Sequence, residues 1–370
     1  MNEQKILSIV IPTFNRKDSL KELIGQILTS DRQDFLIEVT DNASTDGTID
    51  MLESINDDRI RVYRNAENIG GIPNMVCSIF NCSSKYALFL NDRELFDPSG
   101  IGLLIDVLKK DEYSFVQVPS WEYANSEYMD HELRTFNKGL ESLLYVKYRH
   151  HPSGMVFNAN IIHDNLNQKI YLEWPGMEKY SILVCDVVML EKSAFYNVKM
   201  WSERDRSYLK LNLSGSATIG KPEQCYFHFL SVFKDYRLTT NHLLVHRAVD
   251  AKFTESERGV IGLDIANFFF QILLSYKPAM WSKNNCIHYK IEPKFISTCK
   301  MLKIYNAYYV IVLEAFDKAK LPATVTNEWN KGRIKKKFIV IMSSLKYDIW
   351  HFIPEIVKKM IKKDYRIGSS

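Results

Sequence analysis

The strongest constraint on this chain is an alternation in its first hundred residues. Four short apolar runs, at residues 6–11, 35–39, 60–63 and 86–90, each stop at a polar loop. Between them lie stretches with apolar residues at helical spacing. Residues 18–28 carry Leu20, Leu23, Ile24, Ile27 and Leu28, and residues 48–55 and 74–80 read the same way. A continuous run such as ILSIVI, rich in β-branched residues, suits a strand buried on both faces of a parallel sheet. The alternation predicts an α/β fold, a mostly parallel Rossmann-like sheet flanked by helices. Ligands of such sheets bind beyond the carboxyl ends of the strands. The loops PTFNR, TDNASTDGT and NDRE all follow strands, so they should converge on one crevice.

Past residue 110 the pattern loosens. Residues 115–118 read as a strand, 150–162 as a loop leading to a short helix, and 184–190 as another strand. From about residue 259 the composition turns helical and aromatic, through IANFFFQILLSY and YNAYYVIVLEAF. The expected organisation is an α/β domain over 1–230 and a mainly helical region over 231–370. With 46% hydrophobic residues, the chain can fill both cores.

Six scattered cysteines form no CxxC pair, which argues against a zinc site or a disulfide framework. Reduced thiols fit a cytoplasmic protein. The start, MNEQKILSIVIP, lacks the features of a signal peptide. No apolar stretch comes near the roughly 20 residues that span a bilayer; the longest considered is 304–313.

Taken together, SIVIPTFNR, EVTDNASTDGT, NAENIGG and a strand ending in a carboxylate pair resemble the family 2 glycosyltransferases with a GT-A fold. The likeness covers residues 6–97 and rests on the order and spacing of the four pieces. It implies a nucleotide-sugar donor, with Pro12, Thr13, Asn15 and Arg16 near the nucleotide and Asp41 accepting a hydrogen bond from the base. Asn42 belongs to the same polar turn as Ser44 and Asp46, and Asn68, Gly70 and Gly71 let backbone approach the donor. The family's Asp-x-Asp stands here as Asp92-Arg93-Glu94. By the resemblance, Asp92 and Glu94 hold Mn²⁺ or Mg²⁺ against the donor's diphosphate, and Asp92 also meets the nucleotide. The arginine between them departs from the family pattern and bears on metal affinity.

An inverting transferase also needs a carboxylate to take the acceptor's proton. Glu173 and Glu178, in LEWPGMEKY, are the first candidates, and Asp164 is a third. Trp174 could stack on a sugar face. His150, His151 and His228 could serve as further ligands, though an isolated histidine is usually structural. The resemblance implies a lipid-linked or protein-linked glycan acceptor of a bacterial surface polymer and a UDP-sugar donor. A nucleotidyltransferase is the nearer rival, but PTFNR lacks the expected glycines. A non-catalytic nucleotide-sugar-binding scaffold is the other, suggested by the altered carboxylate motif.

Residues 331–370 hold 11 Lys and Arg against 3 Asp and Glu, on a chain whose net charge is +4. The remainder is therefore net negative. Ile349, Phe352, Ile353, Ile356, Val357, Met360 and Ile361 recur at helical spacing among lysines. That pattern suits a basic amphipathic helix on an anionic membrane surface. It would place the protein at the inner face of a cell membrane. No nucleic-acid module accompanies the charge.

Overall fold

The computed structural model describes residues 5–121, 130–146, 152–175, 179–204, 228–247, 250–281 and 296–352. The chain divides into two compact units, Met1–Ala217 and Thr218–Ser370.

The first unit opens with β1 (Leu7–Thr13), α1 (Lys17–Leu28), β2 (Phe35–Asp41), α2 (Thr48–Glu53), β3 (Ile60–Arg64), α3 (Gly71–Phe80) and β4 (Tyr86–Phe89). A two-residue strand β5 (Leu95–Phe96) precedes α4 (Gly100–Lys110) and β6 (Phe115–Gln117). Next come β7 (Leu133–Phe136), α5 (Leu140–Val146), β8 (Met155–Asn158), α6 (Ala159–Asn165) and α7 (Gln168–Leu172). The unit continues with α8 (Lys179–Val187), β9 (Ser193–Tyr196) and β10 (Trp201–Ser202).

Eight strands form one sheet in the order β3-β2-β1-β4-β8-β6-β9-β7. β3, β2, β1 and β4 run parallel, as the alternation demands. β8 is antiparallel to both β4 and β6, which makes the sheet mixed. The central strands are buried on both faces, whereas β3, at the edge, is half exposed. On one face, Leu20, Leu23, Ile24 and Ile27 of α1 pack with Ile101, Leu104 and Leu108 of α4 against Ile9, Ile37, Leu88 and Val116. Strand order reverses between β1 and β4, so the crevice outside their carboxyl ends is the topological switch point.

Three readings change. Residues 184–190 are not a strand: Val184 and Val187 close α8, and the strand is SAFY at β9. A short run buried all round fits either element, and burial here surrounds Val184, Cys185, Val187 and Val188. The stretch 150–162 yields β8 before its helix, because MVFN is buried between two strands. The edge strand β7, LRTF, is mostly exposed and gave little apolar signal.

The second unit is helical over its described residues. α9 (Phe229–Thr240) runs into a π-helical turn (Asn241–Arg247), followed by α10 (Glu255–Leu274) and α11 (Tyr276–Trp281). α12 (Thr298–Lys318), α13 (Ala323–Lys331) and α14 (Arg333–Phe352) complete it. Its core is aromatic: Tyr236, Phe269, Tyr305, Tyr308 and Trp329 are buried, and Tyr308 Oη donates to the Ala266 carbonyl at 2.7 Å. Thr254 and Glu257 form a reciprocal capping box that starts α10. The span Glu255–Met280 is long and apolar enough to cross a membrane, which the search of the sequence for a spanning stretch passed over. Half of its apolar window is buried inside the protein, as in a core helix. Of the apolar tail positions, Ile353, Ile356, Val357, Met360 and Ile361 lie outside the described residues, as do His150, His151 and Glu178.

Candidate active site

The crevice is built from strand ends. β1 ends at Thr13, and its register places Thr13 opposite Asp41 at the end of β2. Past them the chain turns twice through left-handed backbone, at Asn15 (φ 51°) and Ala43 (φ 61°). The turns lock together. Asn15 N–H donates to Ser44 Oγ at 2.8 Å, and Thr45 N–H donates to Asn15 Oδ1 at 2.8 Å. Lys17 N–H donates to Asp46 Oδ2, so Asp46 ties the second loop to the start of α1. Gly47 (φ 83°) precedes α2, where a side chain would be strained.

Asp41 is buried. Its carboxylate accepts the Ser44 N–H at 3.0 Å and lies 3.6 Å from Arg64 Nε. Asn42, beside it, gathers the third loop. Its Nδ2 donates to Asn68 Oδ1 at 2.8 Å, and its Oδ1 accepts from Asn65 Nδ2 and the Ile69 N–H, both at 3.0 Å. Asn68 Oδ1 also accepts the Gly70 N–H, and Gly70 (φ 92°) leads into α3. Asn74, one turn into α3, donates to the Thr40 carbonyl at 3.0 Å and accepts from Asn65. Four asparagines thus fix the loop that the glycines leave close to backbone.

The carboxylate pair lies past β4. Asp92 is buried and accepts from Thr13 Oγ1 at 2.9 Å and from Arg16 Nη1 at 2.8 Å. Those contacts join β1 and β4 at the switch point. Pro12, in β1, is partly exposed beside them. Glu94 is also buried. Its Oε1 accepts from Asn91 Nδ2 at 3.1 Å and from Ser153 Oγ at 2.9 Å. Burial raises the Glu94 carboxyl above its ordinary range, and the Asn91 and Ser153 hydrogen bonds offset only part of that. Arg93 offers its carbonyl to Arg204 Nε at 3.2 Å, and Arg204 pairs with Glu22 at 2.8 Å.

Ser153 belongs to a segment anchored by Gly154, whose N–H donates to Phe89 O and whose carbonyl accepts from Val118. Gly154 has φ 86°, and a Cβ there would fall 2.0 Å from Val118 O and 2.4 Å from Trp201 Nε1. Only glycine fits.

The structure therefore brings together Thr13, Arg16 and Asp92, while Glu94, two residues on, is held by Ser153 and Asn91. Asn15, Asp41, Asn42, Asn68 and Gly70 form the adjoining wall. Glu173 caps the end of α7, exposed and 3.6 Å from Lys169. α7 lies along the later part of α3, with Gln168 beside Cys77 and Tyr171 beside Phe80. The crevice end of α3 is the other one, so the structure does not join Glu173 to the cluster. Trp174 is partly buried next to it. Asp164 is exposed, and His228 caps α9 by accepting the Leu230 N–H. Sequence reasoning passed over Ser153, Asn65, Asn74 and Arg64. Only PSGM, with a glycine before a strand, carried a signal for the first.

Two carboxylates with hard oxygen donors suit Mg²⁺ or Mn²⁺ that completes its shell with phosphate and water. Among the described residues no group of three or more His, Cys, Asp or Glu gathers as a self-sufficient cage. The carboxylate oxygens of Asp92 and Glu94 are the kind of donor such a cation takes, with phosphates completing its shell.

Residues 8–170 match the family profile described as Glycosyl transferase family 2. That segment, less than half of the chain, is similar to this family. An abequosyltransferase, RfbV, of Salmonella typhimurium is 30% identical over 104 residues, 27% of this chain and 31% of that protein. A GalNAc(5)-diNAcBac-PP-undecaprenol beta-1,3-glucosyltransferase of Campylobacter jejuni is 33% identical over 89 residues, 23% of this chain and 29% of the other. The matched segments span about a third of these relatives' lengths. The crystal structure of S. aureus TarS 1-349 superposes with a TM-score of 0.57 at 14% identity, over 93% of this chain and 91% of that one. The shared fold takes in the mixed sheet, of GT-A architecture, and a helical C-terminal region.

Proposed function

We propose that this protein transfers a sugar, of the hexosyl type and with inversion, from a UDP-sugar to a glycan acceptor during assembly of a bacterial surface polysaccharide or glycoconjugate. The carrying observation is Asp92, held by Thr13 and Arg16 at the switch point between β1 and β4. Relatives named as abequosyl- and glucosyltransferases support the reaction class. A TarS 1-349 structure, with a TM-score of 0.55, is titled as a complex with UDP-GlcNAc, which supports the donor class. An acceptor on a diphosphate-linked lipid is suggested by the undecaprenol in the Campylobacter relative's name.

In this reading Asp41 accepts the base's N–H. The Asn15 and Ser44 turns, with Asn42 and Asn68, hold the pocket walls at fixed separation, and Gly70 lets a nucleotide lie against backbone. Arg16 is placed to exchange Asp92 for a phosphate oxygen, and its guanidinium matches that geometry. Asp92 and Glu94 would hold the divalent ion, which when bound neutralises charge on the departing diphosphate. Ser153 and Asn91 fix the rotamer of Glu94. Glu173, exposed at the end of α7 and apart from the cluster, is not assigned as the base. Lys169, four residues earlier, pairs with it only weakly, since exposed pairs contribute little.

The test is donor consumption. The purified protein, given Mn²⁺ and a panel of UDP-, GDP- and dTDP-sugars, should release nucleoside diphosphate from at least one UDP-sugar. Release from none while UDP still binds would leave the protein a non-catalytic nucleotide-sugar-binding scaffold.

A further inference from the structure

On α14 the exposed apolar residues fall in one line. Ile334 is 81% exposed, Phe338 61%, Met342 49% and Leu345 41%. At about 100° per residue these four positions share roughly 80° of helical arc. The opposite side is the packed one: Val340 and Ser344 are buried, and Lys277 Nζ donates to Ser344 Oγ at 2.8 Å. Four large apolar side chains in a row, on a helix anchored at Val340 and Ser344, mark an interaction surface.

The charge around the line identifies the partner. From residue 331 to 347 the chain carries Lys331, Arg333, Lys335, Lys336, Lys337 and Lys346 and no acidic residue. Lys335 and Lys346 fall on one flank of the line and Lys337 on the other. Two of the cations are stacked on rings. The Arg333 guanidinium carbon lies 4.4 Å from the Tyr309 centroid, and Lys336 Nζ lies 4.1 Å from that of Trp329. Beside Ile334 opens a groove of about 610 Å³ lined by Tyr309, Leu313, Asn330, Arg333, Ile334 and Lys337. It offers apolar walls, an amide and two cations, the needs of a phosphate headgroup with the start of an acyl chain.

We propose that this face of α14, with the groove at Ile334, seats the protein on an anionic phospholipid surface. An apolar line entering the headgroup boundary between lysines that meet lipid phosphates is the binding mode of an interfacial helix. The proposal rests on the reading of the enzyme as acting at a membrane. Vesicles without substrate separate the two, because binding can fail while donor turnover persists.

The experiment is co-sedimentation of the full chain with phosphatidylglycerol/phosphatidylcholine vesicles and with phosphatidylcholine alone. Binding should need the anionic lipid and fall as salt rises. Phe338→Glu should cut the partition coefficient about tenfold or more, and Lys335→Glu with Lys337→Glu comparably, with UDP affinity unchanged. If Phe338→Glu does not fold, Met342→Glu reads the same face. Equal binding by these variants, or none by the intact protein, overturns the proposal. So does sedimentation equilibrium showing a dimer that Phe338→Glu dissociates, since the line then pairs two copies.

Discussion

Arg16 Nη1 lies 2.8 Å from Asp92 Oδ1, joining the loop after β1 to the loop after β4 across the strand-order reversal. The pair is unequally placed: the arginine side chain is about a quarter exposed and the aspartate nearly sealed. The cation can therefore leave toward an incoming anion while the carboxylate stays. Replacing Arg16 by Gln should weaken UDP binding about tenfold in saturating Mn²⁺, the loss of one charge-assisted hydrogen bond. It should also strengthen binding of Mn²⁺ alone, because Asp92 loses its competitor. Calorimetry reads both. Unchanged UDP affinity would leave Arg16 as a partner of Asp92 and nothing more.

Glu94 carries a pH signature. Burial raises its pKa in the folded protein above the unfolded value. Its contribution to stability is thus full below the ordinary carboxyl range and lost as pH rises through the raised value. Glu94→Gln should match the native protein in urea unfolding at about pH 4 and surpass it near pH 7. Since a cation competes with that proton, Mn²⁺-dependent binding should weaken as pH falls through the same window. A stability difference that does not change with pH contradicts the burial argument.

Gly154 is where the crevice depends on an absent side chain. Gly154→Ala must accept positive φ and a Cβ 2.0 Å from Val118 O. The combined strain should cost about 3 kcal/mol, read as a lower midpoint in chemical unfolding. A loss below about 1 kcal/mol would show that the segment before β8 yields easily.

Glu173 has the plainest test. It stands apart from the cluster, so Glu173→Gln should leave both transfer and UDP affinity at the native level. A loss of about a hundredfold in transfer, the range for a general base, would contradict that separation and make Glu173 the base.

The sheet was legible where burial is symmetrical. ILSIVI and its three counterparts are long enough, and polar-bounded enough, to read as parallel strands, and their loops do converge. β8 and β9 were harder because four buried residues look alike in a strand and a helix, while β7 has only Leu133 and Phe136, at its two ends, to read. Within the site, the carboxylates Asp41, Asp92 and Glu94 stood out. Ser153 and Asn74 did not: their role comes from bonds to residues 59 and 34 positions away, to Glu94 and the Thr40 carbonyl. Such distances leave no local pattern. The tail's amphipathic reading pointed to residues from Ile349 onward, whereas the exposed line begins at Ile334.

The central claim is that Asp92, at the meeting of β1 and β4, organises a metal-assisted site for a nucleoside diphosphate. Calorimetric titration of UDP into the native protein and into Asp92→Asn, each with Mn²⁺ and with EDTA, addresses it directly. The account expects binding by the native protein in Mn²⁺, weakened at least about tenfold by EDTA or by the substitution, with no further loss when both are applied. Equal affinity in all four titrations would contradict it.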